Sequence, residues 1–187
     1  MMEFTVLKTK LKISPLFFAV LTLFLLIDKN GIASVVVLFS ALHETGHFLA
    51  LLCVKTRPRL IEFSPFGIHV SLPENLSTAK KVPVLMAGFM VDFLLAAIFY
   101  ALKKPLFGYI NLIIGIFTAL PISATDGGAV LKTLLYEYVP KKEEKIFKIV
   151  SFSSLAMVSV AFIISAVATK NYFIFIALIY MALCAMK

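Results

Sequence analysis

Long apolar stretches separated by short polar segments make up most of this chain. Six of them, near residues 13–27, 31–54, 82–102, 107–135, 147–168 and 172–186, approach the length of a membrane helix. A bilayer core of about 30 Å asks for about 20 apolar residues per helix. The pattern therefore predicts an all-α polytopic membrane protein with about six transmembrane helices, the last being short. The first stretch follows Lys8, Lys10 and Lys12, as in a signal peptide, but no A-x-A site precedes Asp28, Lys29 and Asn30. It is read as an uncleaved anchor. Between the second and third spans the period changes. In RLIEFSPFGIHVSLP, residues 59–73, Ile61 and Phe63 alternate with polar neighbours, Pro65 to Gly67 supply a turn, and Ile68, Val70 and Leu72 alternate again. That pattern predicts a small β-hairpin. No internal repeat, low-complexity tract or long linker divides residues 1–187, so a single membrane domain is expected.

Composition agrees with this reading. Hydrophobic residues make up 61% and charged residues 15% of the 187 positions, against about 45–50% and about 25% in soluble domains. The formal charge is +8, yet the cations lie in short clusters between apolar runs and form no basic stripe with interleaved aromatics. Nucleic acid is therefore not an expected partner. Fourteen of the 18 lysines and arginines fall on one alternating set of connecting segments and four on the other. That bias places both termini in the cytoplasm. Cys53 and Cys184 lie in or beside apolar runs without a CxxC pair, which reads as two buried thiols. The run PKKEEK, residues 140–145, reads as a solvated loop.

Ionisable residues inside apolar spans are functional leads because burying charge in lipid is costly, about 2.5–3.5 kcal/mol each on insertion scales. Five stand out: His43, Glu44, His47, Asp92 and Asp126. The first three form HETGH, residues 43–47, in the middle of the second span. Histidines at i and i+4 project from one helical face. Two neutral imidazoles so placed can bind one zinc, with the glutamate directed at its water.

An open zinc site needs a third protein ligand, and the candidates are Asp92, Asp126, Glu62 and His69. At 1.5 Å per residue, His43 lies about 16 Å and His47 about 10 Å from the cytoplasmic end of its span, with Asp126 at about 13 Å and Asp92 at about 15 Å. Depth does not separate the aspartates, but local chemistry does. Asp126 sits in LPISATDGGAV, where Pro121, Gly127 and Gly128 interrupt the span. Unwound backbone at membrane depth must be buried in protein or line a wet cavity. Asp92 lies in unbroken helix, where a packing or hydrogen-bonding role is simpler. Asp126 is the expected ligand, and His69 is read as a surface or substrate-facing side chain.

HExxH in one membrane helix, followed about eighty residues later by a broken helix carrying LP-x4-DGG, resembles the site-2 proteases. These are zinc enzymes that cut within the membrane. The resemblance covers roughly residues 31–135 and implies a three-helix metalloprotease core. It implies one zinc per chain, held by His43, His47 and Asp126, with Glu44 as catalytic base. One helix before the motif and no PDZ domain after it resemble the sporulation-type branch most. Three departures are visible. Thr118 stands where the family usually has Asn in N-x-L-P-x4-D-G, and Asn111 lies two turns earlier. Gly88-Phe89-Met90-Val91-Asp92 stands where the family often has G-P-x-x-N. No CBS-type domain follows.

The resemblance implies cleavage of a membrane-embedded or membrane-associated protein substrate. It leaves room for a membrane regulator and places the chain in a bacterial cytoplasmic membrane. An exposed edge of the hairpin could take an unwound substrate strand by β-augmentation; the alternative is a connector lying on the membrane surface. Two other functions compete. A metal or proton transporter needs polar lining through the outer half of the spans, which the sequence lacks. A catalytically weak relative that binds and sequesters a membrane client is favoured by Thr118 and opposed by the intact Glu44.

Overall fold

The computed structural model describes residues 2–6, 9–64, 67–73 and 76–169. The element order is β1 (Met2–Val6), β2 (Thr9–Ile13), α1 (Pro15–Ile27), α2 (Ile32–Cys53), β3 (Leu60–Ser64), β4 (Gly67–Ser71), α3 (Thr78–Ala101), α4 (Pro105–Ala119), α5 (Asp126–Tyr138) and α6 (Glu143–Thr169). By length and composition α2, α3 and the Glu143–Ala168 part of α6 can each cross a membrane; α1 and α4 are apolar but shorter. The described residues thus hold six helices and three candidate spans. The expected first span is a helix of 13 residues. The expected fourth span is two helices, α4 and α5, with a break at residues 120–125. The expected span at 172–186, with Cys184, lies outside the described residues.

The chain divides into two compact units, Met1–Gly115 and Ile116–Lys187. In the first, the expected hairpin is present: β3 and β4 pair antiparallel, with Ile61 opposite Val70 and Phe63 opposite Ile68. Its turn at Pro65 and Phe66 lies outside the described residues. The hairpin is half of a four-stranded sheet ordered β1-β2-β3-β4, an addition to what the sequence pattern predicts. β1 and β2 form a second hairpin, and β2 pairs parallel to β3. Because side chains alternate across a pleat, the register gathers Met2, Phe4, Leu11, Ile13, Ile61, Phe63, Ile68 and Val70 at positions of one face. Glu3, Lys10, Lys12 and Glu62 occupy positions of the other. Phe17 at the start of α1 meets Phe63 edge-on at 5.6 Å.

Helices α2 and α3 form the centre of this unit. Gly46 lets them approach: a Cβ there would lie 2.8 Å from the Ala87 carbonyl oxygen. Small residues permit such close helix contacts in membranes. Phe39 of α2, Phe99 of α3 and Phe107 of α4 pack together at centroid distances of 5.4–6.0 Å. Both long helices end on a lysine in the left-handed region, Lys55 (φ 53°) and Lys103 (φ 57°). Thr56 N–H then reaches back to the Leu51 carbonyl and Lys104 N–H to that of Phe99, satisfying carbonyls the helix end would orphan. Cys53, expected to be buried, is an exposed thiol at the end of α2.

In the second unit, α5 and α6 are joined through residues 139–142. The PKKEEK run is only partly loop, since its last three residues begin α6. Lys148 pairs with Glu144 one turn back at 2.6 Å.

Candidate metal centre

The buried residues of α2 are Ala33, Phe39, His43, Gly46, His47 and Leu51, and those of α3 include Val84, Gly88, Asp92 and Ala96. Spacings of three and four in α2, and of four in α3, turn one stripe of each helix toward the other. His43 and His47 therefore meet α3 and not lipid. Val84, Gly88 and Asp92 lie in one row of that stripe, and each touches the histidines differently.

The Nδ1 of His47 donates to the Val84 carbonyl oxygen at 2.7 Å. A carbonyl only accepts, so that nitrogen carries the proton. The Nδ1 of His43 lies 2.6 Å from Asp92 Oδ2 and donates to it. With both rings neutral the lone pairs lie on Nε2, and the two Nε2 atoms lie 3.3 Å apart. Gly88 leaves the space for this: a Cβ there would overlap both Nε2 atoms.

Two lone pairs at that separation repel unless an electron-poor centre is shared between them. Two nitrogens on a tetrahedral zinc, each at about 2.0–2.1 Å, lie about 3.3–3.4 Å apart. The pair therefore fits a metal, and α3 supplies the outer acceptors that orient metal-bound histidines. Glu44, next to His43, is half-buried.

Asp126 belongs to the second unit, where it is the first residue of α5 and half-buried. Its position follows from the break that precedes it. Thr125 caps α5: its hydroxyl accepts from Gly128 N–H at 3.3 Å and donates to the carbonyls of Ile122, at 2.9 Å, and Leu120. Residues 119–122 fold back over the first turn so tightly that a Cβ on Gly127 would strike the Ala119 carbonyl, and one on Gly128 that of Ile122. The loop is tied to α6 by Ser123 N–H donating to Ser151 Oγ at 3.0 Å. A carboxylate at a helix N-terminus also gains from the helix dipole.

The other sequence candidates are placed differently. Glu62 lies in β3 in register with His69 of β4, and the His69 side chain lies outside the described set. Asp92 is fully buried and bonded to His43. Thr118 is half-buried near the end of α4, and Asn111 is fully buried with its Nδ2 donating to the Phe107 carbonyl at 2.8 Å. The contribution of Val84 was not legible in the sequence, because a backbone carbonyl carries no residue signature. That of Gly88 had a signal in its four-residue spacing from Asp92.

No family model matches the sequence, and no curated protein matches it. Among solved structures the chain is similar to the Site-2 Protease from Methanocaldococcus jannaschii. The TM-score is 0.68 at 15% identity, with 99% of this chain and 93% of that chain covered. At this identity the likeness speaks for the fold alone. The fold of this chain is similar to that of a site-2 protease.

Proposed function

We propose that the protein is a zinc-dependent intramembrane endopeptidase with one zinc held by His43, His47 and Asp126. The observation that carries this reading is the 3.3 Å approach of two histidine Nε2 atoms, with both Nδ1 protons committed to acceptors on α3. Support for Asp126 comes from its place at the head of α5, after a break that the DGG glycines permit. A His-His-Asp set leaves one position open, as catalytic zinc sites do.

A zinc ion so held would polarise the scissile carbonyl and lower the pKa of a bound water toward about 7. Glu44 takes the proton from the attacking water and delivers it to the leaving amine. The substrate is a membrane-embedded or membrane-associated protein whose helix unwinds locally before cleavage. β4 ends the sheet order, so its outer edge can receive such a strand. Placement in the sporulation-type branch rests on the resemblance, in which no PDZ domain is inserted between the HExxH helix and the broken helix. The cytoplasmic placement of both termini rests on the lysine bias, and a bacterial cytoplasmic membrane on the same resemblance.

The test is metal content and cleavage in detergent-purified protein. Wild type should hold about one zinc and cut a labelled unstructured protein such as casein, and a strong chelator should stop the cutting. His43→Ala and Asp126→Asn should lose the zinc. A folded wild type without zinc would overturn the reading. Zinc-loaded protein that binds clients without cutting them would instead favour the sequestering relative.

A further inference from the structure

Asp92 has no part in the chemistry above, yet it is among the most deeply buried polar side chains described, with no exposed surface. Its Oδ2 takes the His43 Nδ1 proton at 2.6 Å, while its Oδ1 is buried with no hydrogen-bond partner. A buried carboxylate is tolerated only where another group compensates it. Helix α4 closes over Asp92 at Gly115, whose added Cβ would lie 3.0 Å from the Asp92 Cβ. The helix contributes shape there and no cation. Asn111, one turn earlier, directs one N–H of its Nδ2 to the Phe107 carbonyl. The hydrogen bond described for Asp92 is the one from His43.

We propose that Asp92 is a positioning residue for the metal centre, an inference that rests on His43 being a zinc ligand. Asp92 holds His43 in the Nδ1–H form, which aims Nε2 at the metal. A cation held by His43 would draw electron density from the ring and so strengthen the Nδ1–H bond to Asp92. Outer partners of this kind change metal affinity about 10–100-fold when removed. His47 has only a neutral carbonyl in the equivalent place, so the two ligands are unequal and His43 is the stronger.

The experiment titrates zinc against a chromophoric chelator in detergent-purified wild type, Asp92→Asn and Asp92→Ala, and records the visible spectrum of each cobalt-loaded protein. The expected result is a zinc Kd about tenfold weaker for Asp92→Asn, which keeps a neutral acceptor, and about 100-fold weaker for Asp92→Ala. The cobalt bands should shift in both, and Asp92→Asn should keep the wild-type Tm. If Asp92→Ala does not fold, Asp92→Asn decides. Unchanged Kd and cobalt spectrum in Asp92→Asn would overturn the inference, leaving Asp92 as a packing residue. If wild type binds no zinc, the proposed function fails along with it. If wild type binds zinc through His43 and the Asp92 variants match it, only this inference fails.

Discussion

His47 is held by Val84 through the backbone: its Nδ1 donates to the Val84 carbonyl oxygen at 2.7 Å. The side chain of Val84 packs, with 1% exposure, but takes no part in that bond. Val84→Ala should therefore lower stability by about 1–3 kcal/mol through lost packing while zinc content stays at the wild-type level. Thermal unfolding and metal analysis of one preparation separate the two effects. A loss of zinc at unchanged stability would show that the carbonyl is not what orients His47.

Gly88 and Gly46 both lie at the α2–α3 contact but oppose different atoms. A Cβ on Gly88 meets the two Nε2 atoms, whereas one on Gly46 meets the Ala87 backbone and Val91. Gly88→Ala should weaken zinc binding by more than tenfold with a modest change in Tm. Gly46→Ala should lower Tm first, as overpacking costs about 1–3 kcal/mol. Equal zinc affinity in Gly88→Ala and wild type would contradict the geometry.

Thr125 is the cap on which the position of Asp126 depends. Thr125→Ala should cost about 0.5–2 kcal/mol of stability and weaken zinc binding, while Thr125→Ser keeps the hydroxyl and should restore both. Calorimetric zinc titration of the two variants tests this. A serine variant as weak as the alanine variant would mean that the hydroxyl is not the determinant.

Glu44→Gln should leave zinc content intact and reduce cleavage by about 10²–10⁴-fold, the usual contribution of a general base. Parallel metal analysis and casein cleavage give the answer. Cleavage at the wild-type rate would remove Glu44 from its role.

Asp28 makes the start of α2 sensitive to acid. Desolvation pushes its carboxyl up, but the N–H groups of Ser34, Asn30 and Ala33 outweigh this and hold it below the usual carboxylate value. A lowered folded-state pKa stabilises the protein above the unfolded value of about 3.9 and loses that effect as pH falls through the folded value. Below about pH 4, Tm should fall more steeply in wild type than in Asp28→Asn, with the curves differing by a constant above pH 5. Parallel curves across the whole range would assign the acid sensitivity elsewhere.

Much of the architecture was legible because it is local. The apolar runs mark the helices, the alternation of Ile61, Phe63, Ile68 and Val70 marks a hairpin, and Pro121 with the DGG glycines marks the break before Asp126. The segment at residues 2–13 was less legible. Its lysines suggested a cationic flank, while Met2, Phe4, Leu11 and Ile13 alternate over runs too short to stand out. What makes it part of a sheet is the parallel pairing of β2 with β3, some fifty residues away. The exposure of Cys53 was not legible for a related reason: an apolar neighbourhood in sequence does not say which side of a helix meets protein.

The sequence by itself determined that the chain prefers a bilayer, that His43, Glu44 and His47 share a helix, and that Asp126 sits at an interruption of another span. These follow from hydropathy, helical period and backbone chemistry within a few residues. Only the tertiary structure decided that Asp92 holds His43, that the Val84 carbonyl holds His47, and that Gly88 leaves room for both Nε2 atoms. Those relationships depend on the register at which α2 meets α3. Helix registers are settled by packing between side chains distant in sequence, which no local pattern encodes.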